Sequence, residues 1–299
     1  MKFKFYIIIL SLILTNYTFA QNDGAGNTGL AFLKLGVGAR SIAMGEAFSS
    51  FSDDATSVIY NPARIVFGLS NSVTLMHNSS AQDLSNDFIA AKVVFGKFGI
   101  GFGILKSGVD NIEVRLAPGA ALDKFNSENL SMNLSLGYKI NDFISIGLTS
   151  KLLYEKIYID EASGTGFDFG CNYNKDNSSF AFVISNIGSM NALRNSSTKL
   201  PTSFRFGGSY SIPLKNFNIV LCLDGFKVLD GGLFHLLTGG EVSYKDFIFL
   251  RAGYQTSYEN KAFSTGLGLK YKSLSFDYAF IPYYDSFGTG NTFSLGLTF

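Results

Sequence analysis

The residues of this chain that could do chemistry are few and far apart. Its two histidines, His77 and His235, have no Cys, His or carboxylate at metal-ligand spacing, so each reads as an ordinary strand or loop residue and no metal is expected. The stretch "GVGARS", Gly36 to Ser41, looks like a fragment of a dinucleotide-binding loop. It lacks the third glycine, and no alternating βα units follow it, so no cofactor is expected. Glu46, Asp53 and Asp54 could be imagined as paired carboxylates for acid–base work, but capping and hydrogen bonding in a short helical segment explain them with less. No serine sits in a nucleophile-elbow motif. An enzyme, including a barrel-type lipase or protease, has no constellation to work with. Net charge is +1, which gives no electrostatic argument for nucleic acid.

The elements that would position such residues are strands. Hydrophobic residues make up 46% of the chain and charged ones only 16%, yet after residue 20 no apolar run approaches the length of a membrane helix. A transmembrane β-barrel reconciles the two, because lipid-facing and lumen-facing residues alternate and neither face forms a continuous run. In "SMNLSLGYKI", Met132, Leu134, Leu136, Tyr138 and Ile140 share one face, and Ser131, Asn133, Ser135, Gly137 and Lys139 the other. Such alternation predicts about fourteen strands, near 72–79, 86–95, 98–107, 128–140, 144–157, 165–174, 179–187, 202–212, 217–226, 237–246, 247–257, 262–272, 274–282 and 291–299. A soluble β-sandwich would also alternate, but its connections need not sort by length. Here they do: tight turns such as Gly96-Lys97 and Asn141-Asp142 alternate with loops at 80–85, 108–127, 158–164, 188–201, 227–236 and 283–290. The short turns fall on the side where the chain ends, which predicts that side to be periplasmic.

Residues 1–20 read as a secretory signal peptide, with Lys2 and Lys4, an apolar run and Ala20 before the expected cut. Residues 21–70 form an amino-terminal segment, and 71–299 the barrel. Both termini of the mature chain are expected on the periplasmic face. Cys171 and Cys222 lie in separate strands and read as unpaired wall residues. Small side chains dominate Arg40 to Ser50, and Pro62 disfavours helix at Asn61, so residues 29–67 predict one or two short helices packed as a plug in the lumen. Arg40 and Asp54 are expected to tie that plug to the wall. Gly99, Gly101 and Gly103 on one face of a strand suggest either a wall thinned for the plug or an exit for a solute.

Phe32 to Ala63 resembles the amino-terminal signature of PorV/PorQ proteins, outer-membrane barrels related to the fatty-acid transporter FadL. The resemblance rests on Gly36, Gly38, Ala39, Arg40, Met44 and Gly45, then Asp53, Asp54 and Ala55, then Asn61-Pro62-Ala63. It implies an all-β, FadL-like transmembrane antiparallel barrel of about fourteen strands with a short amino-terminal helical plug, set in outer-membrane lipid. It further implies a non-enzymatic component or cargo shuttle of a type IX-like secretion and surface-attachment system. The implied partners are a translocon barrel and secreted proteins with a carboxy-terminal sorting domain. The alternative is a FadL-like channel for hydrophobic small molecules, with Phe32 to Ala63 as its hatch and a hydrophobic ligand in the lumen. The aromatic stripe Phe293, Leu295, Leu297 and Phe299 resembles the assembly signal of outer-membrane barrels. Tyr283, Tyr284 and Phe287 offer a partner-contact loop.

Overall fold

The period of two in the sequence becomes a two-sided wall in the computed structural model, which describes residues 23–68 and 71–299. The expected signal peptide lies outside the described residues. The wall strands are β1 (Ser72–Ser79), β2 (Leu84–Phe95), β3 (Phe98–Val114), β4 (Asp123–Lys139), β5 (Ile144–Ile157), β6 (Asp160–Lys175) and β7 (Ser178–Met190). They continue as β8 (Ser203–Pro213), β9 (Phe217–Val228), β10 (Phe234–Tyr244), β11 (Ile248–Gln255), β12 (Phe263–Tyr271), β13 (Leu274–Pro282) and β14 (Thr289–Thr298). Among the described residues these fourteen strands form one closed barrel in which every strand pairs with its chain neighbours and β14 returns to β1. The closing pair is antiparallel, from Ser72 opposite Thr298 to Ser79 opposite Asn291. Closure leaves no unpaired sheet edge around the wall, which is what permits strands to cross a bilayer.

The two faces sort as the alternation requires. On β4, Ser131, Asn133 and Ser135 are fully buried toward the lumen, whereas Met132, Leu134 and Leu136 stand outward and exposed. Aromatic rings gather near the short turns: Phe98 lies 4.8 Å from Tyr138, and Phe217 4.9 Å from Tyr244. This is the belt expected where a barrel meets the membrane–water interface. Phe293, Leu295, Leu297 and Phe299 all face outward, and the backbone of Phe299 exchanges hydrogen bonds with Asn71 at 3.0 and 3.1 Å. Cys171 is exposed and Cys222 buried; both are free thiols.

The structure differs from the sequence expectation at the loop end. The 108–127 stretch is mostly strand, since β3 runs to Val114 and β4 begins at Asp123. Likewise β6 begins at Asp160, leaving residues 158–159 as a tight connection. Each strand of the β3–β4 hairpin has 17 residues, against the roughly 9–11 that span a bilayer. The hairpin therefore projects beyond the membrane, where both faces are wet and the apolar stripe that marks a spanning strand disappears.

The second difference concerns the amino terminus. Asp23 accepts a hydrogen bond from the Leu233 amide at 2.7 Å and faces His235, and the Gly29 amide donates to the Lys199 carbonyl. All of these partners lie at the loop end. From there the chain passes down the lumen and reaches β1 at the short-turn end, beside Phe299. The described chain thus starts, at Asp23, at the barrel end opposite to Phe299.

Candidate functional site

The site is the lumen and the segment threaded through it. A 3-10 turn at Ala31–Lys34 leads to helix α1 (Ala39–Ala43), then to α2 (Ser57–Tyr60) and a second 3-10 turn at Pro62–Arg64. Each of these short pieces has a local cause. Gly38 opens α1 at a φ of 85°, a region that favours glycine, and its amide reaches the Met76 sulfur at 2.9 Å. Gly45 also has positive φ, and a Cβ there would meet the Thr238 carbonyl at 2.7 Å, so the wall and the backbone both require glycine. The Asp54 carboxylate accepts the Thr56 amide at 2.9 Å, and the Asp54 carbonyl accepts the Ser57 amide at 3.2 Å, which starts α2. Asn61 is extended; its Oδ1 accepts the Ala63 amide at 3.0 Å, and Pro62 occupies the first position of the final turn. Asn-Pro-Ala is therefore a capped stop, its Asn Nδ2 also donating to the Ser49 carbonyl at 3.0 Å.

The wall makes room for this segment by omitting side chains. Gly99, Gly137, Gly147 and Gly170 are direct register partners across β3 to β6. A Cβ at Gly99 would strike Ile65, at Gly137 the Pro62 carbonyl, at Gly147 the Pro62–Ala63 peptide, and at Gly170 the Asn61 side chain. Gly101 and Gly103 would strike Val58. The glycine face of β3 is thus part of a bed for the plug. On the opposite wall Gly239, Gly253 and Gly266 do the same for Ala43, Met44 and Gly45. Within the segment Phe48 is fully buried, its ring edge-on to Phe51 at 5.7 Å and to Tyr60 at 5.5 Å.

Charge fixes the plug to the wall. Arg40 grips Glu241 of β10 with two nitrogens, Nε at 2.9 Å and Nη2 at 3.0 Å, and pairs with Asp53 at 2.7 Å through Nη1. Arg251 of β11 donates to the same Glu241 at 2.6 Å and to Asp277 of β13 at 2.6 Å. Lys261 pairs with Glu46 at 3.0 Å, Arg205 donates to the Glu46 carbonyl at 2.6 Å, and Asp224 accepts the amides of Phe48 and Ser49. Lys92 donates to the carbonyls of Asp53 and Phe67 where the plug leaves the lumen. Burial opposes the charge on Arg40, but Glu241 and Asp53 outweigh it and hold the guanidinium above its ordinary pKa. Burial would raise Asp53 and Glu46; Arg40 for the first, and Lys261 with Arg205 for the second, hold each below the usual carboxylate value. Asp54 goes the other way, pushed up by burial and then by its neighbour Asp53.

Of the residues picked from sequence, Gly36, Gly38, Arg40, Gly45, Asp53, Asp54, Asn61, Pro62 and Ala63 all lie in this plug. Arg40 reaches the wall directly. Asp54 does not: its side chain bonds Thr56 within the plug. Tyr283 turns inward, its hydroxyl 2.8 Å from the Ser80 hydroxyl, while Tyr284 and Phe287 remain exposed. Each histidine meets a carboxylate from elsewhere, His77 with Asp87 at 2.7 Å and His235 with Asp23 at 3.1 Å. Sequence reading passed over Glu241, Arg251, Asp224, Arg205 and Lys92. Their signal was available, since an ionised residue inside an otherwise apolar strand must face the lumen rather than lipid.

Below the plug, toward the short turns, a cavity of about 340 Å³ is walled by Arg40, Asp53, Glu241, Arg251 and Asp277. Above it, toward the loops, Leu30, Phe32, Leu153, Met190, Leu200 and Phe226 make an apolar cluster. The lumen thus carries an apolar band on the loop side of the plug and is charged at the turn end.

Two solved structures share this architecture over nearly the full chain. The CymD monoaromatic hydrocarbon channel superposes with a TM-score of 0.62 at 12% identity, covering 91% of this chain and 97% of that one. The Pseudomonas putida toluene transporter TodX gives 0.62 at 13% identity, with 88% and 96% covered. The fold is the one these channels share, a closed fourteen-strand antiparallel barrel. No protein-family model matches the sequence, and no curated protein matches it.

Proposed function

We propose that this protein is an outer-membrane channel for small hydrophobic molecules, closed by its own amino-terminal segment. The observation that carries the reading is the layered lumen: an apolar band on the loop side, then a plug seated on glycine and held by a few ion pairs, then a charged and partly open turn end. The fold neighbours are channels for hydrophobic molecules, which favours this reading over the secretion role. In this reading the loop end faces outside and the short turns face the periplasm, as barrels of this kind are built. Asp23, the first described residue, then lies at the outer mouth. Solute enters from the loop end, collects on the apolar band, displaces the plug, and leaves past the charged end. None of this calls for catalysis. The test is uptake of a fluorescent hydrophobic probe, 1-N-phenylnaphthylamine, by cells with and without the protein. Faster uptake supports the channel; equal uptake removes it.

A secretion role keeps one structural argument beside the resemblance of Phe32 to Ala63. The projecting hairpins expose Leu116, Leu122 and Ile159 beyond the apolar belt, Leu116 at 88%. Exposed apolar residues of this kind suit a protein partner. Crosslinking in intact cells that captures a translocon barrel or tagged cargo would favour this second reading.

A further inference from the structure

Two adjacent rings of lumen-facing residues cross the same five strands. The ring nearer the plug is apolar except at β4: Met76, Phe88, Leu105 and Leu153 are in register through Ser131, each 3–4% exposed. The next ring toward the loops, about 7 Å away at two residues along each strand, is polar throughout. It runs Asn78, Asn86, Ser107, Asn129 and Glu155, each directly opposite the next in register. Five strands at their ordinary spacing make this row about 19 Å long.

The polar row is unsatisfied. Asn86 is 2% exposed, yet neither its Oδ1 nor its Nδ2 has a hydrogen-bond partner among the described residues. Asn78 Oδ1, Asn129 Oδ1 and Glu155 Oε2 are likewise without one. A buried amide with both ends unpaired is costly and rare, so a partner for it is expected. Single unpaired atoms also occur elsewhere in the lumen, at Ser72, Asn172 and Asp224 for example, but Asn172 and Asp224 keep their second polar atom bonded, whereas Asn86 has both ends of its amide free among the described residues.

We infer that these two rings are a binding site for an amphiphile with an apolar body and an uncharged hydroxyl head. This deepens the channel reading and rests on it. The body packs over Met76, Phe88, Leu105 and Leu153, and the hydroxyl sits over Ser107, where it donates to and accepts from the amides of Asn86 and Asn129 on either side. An amide and a hydroxyl are matched because each is donor and acceptor at once. A carboxylate head fits poorly, because Glu155 faces the same row and the row itself carries no cation. A plain hydrocarbon leaves the amides unpaired.

Three probes with one body separate these cases: 4-hexylphenol, hexylbenzene and 4-hexylbenzoate, titrated calorimetrically into the full mature chain in lipid nanodiscs, with empty nanodiscs subtracted. The phenol binds at least about tenfold tighter than hexylbenzene, and the benzoate weaker than the phenol. Asn86→Leu and Asn129→Leu, of similar size but without hydrogen bonds, each shrink the phenol preference to about threefold or less and leave hexylbenzene unchanged. Glu155→Gln improves the benzoate. Equal affinity for phenol and hexylbenzene, or a preference that survives both Leu variants, overturns the inference while the channel reading stands. Binding of none of the three overturns both.

Discussion

Replacing Arg40 with Ala should unseat the plug without unfolding the barrel. The guanidinium makes a two-pronged contact to Glu241 and a third bond to Asp53, and it lies 4.6 Å from the Phe51 ring. Breaking a buried pair by removing one partner costs about 3–5 kcal/mol when the other charge is stranded. Here Glu241 keeps Arg251 at 2.6 Å, and Asp53 is part-exposed, so neither is left without help. The cost therefore falls below that range, at about 2–3 kcal/mol, which is about a 30- to 150-fold rise in the ratio of released to seated plug. Wall strands bear none of this cost, because their ladder bonds do not involve Arg40. Single-barrel conductance in planar bilayers reads the released fraction directly. Arg40→Lys keeps the charge but loses the fork, and should fall between wild type and Ala. Asp54→Ala should not open the barrel as Arg40→Ala does, since the Asp54 side chain bonds only within the plug. If R40A barrels run as heat-modifiable, folded protein and yet open no more often than wild type, the ion-pair account of plug seating is wrong.

Gly147→Ala should loosen the plug by about 1–3 kcal/mol through overpacking against Pro62 and Ala63, whereas Gly240→Ala, where a Cβ meets nothing closer than 3.8 Å, should be near neutral; conductance of the pair checks both. Glu46 and Asp53 are held below their ordinary pKa when the plug is seated, so the stability they give is full above about pH 5 and is lost as pH falls through their lowered values. Conductance should therefore rise steeply below about pH 4 and stay flat between 5 and 8. Asp54 is raised, so its charge opposes seating at neutral pH; Asp54→Asn should lower the open fraction at pH 7, with the difference vanishing as the solution is acidified. Deleting Phe299 removes the backbone bonds to Asn71 that close the seam and should reduce the heat-modifiable fraction recovered from outer membranes.

The wall was legible because its rule is local. Lipid on one side and a packed lumen on the other force the alternation seen at Ser131 to Tyr138, and each strand carries it independently. Where β3 and β4 leave the membrane that force ends, which is why Asp110 to Val114 and Asp123 to Asn126 looked like loop. The plug was legible as a segment, through its small residues and its Asn-Pro-Ala stop. Its fastening was not, since the wall partner of Arg40, Glu241, lies some 200 residues away on β10 and nothing in the local pattern announces which lumen charge it meets. The course of the chain from the loop end down to β1 was equally hidden. It depends on Asp23 and Gly29 finding loops at 199 and 233, contacts that no short-range signal encodes.

The central claim is that a plugged barrel admits hydrophobic solutes when the plug gives way. The most direct measurement is the uptake rate of radiolabelled toluene by intact cells lacking the protein, carrying it, or carrying the Arg40→Ala form at equal surface abundance. Uptake that requires the protein and quickens in the variant is the predicted result. Uptake equal in all three strains would contradict the account.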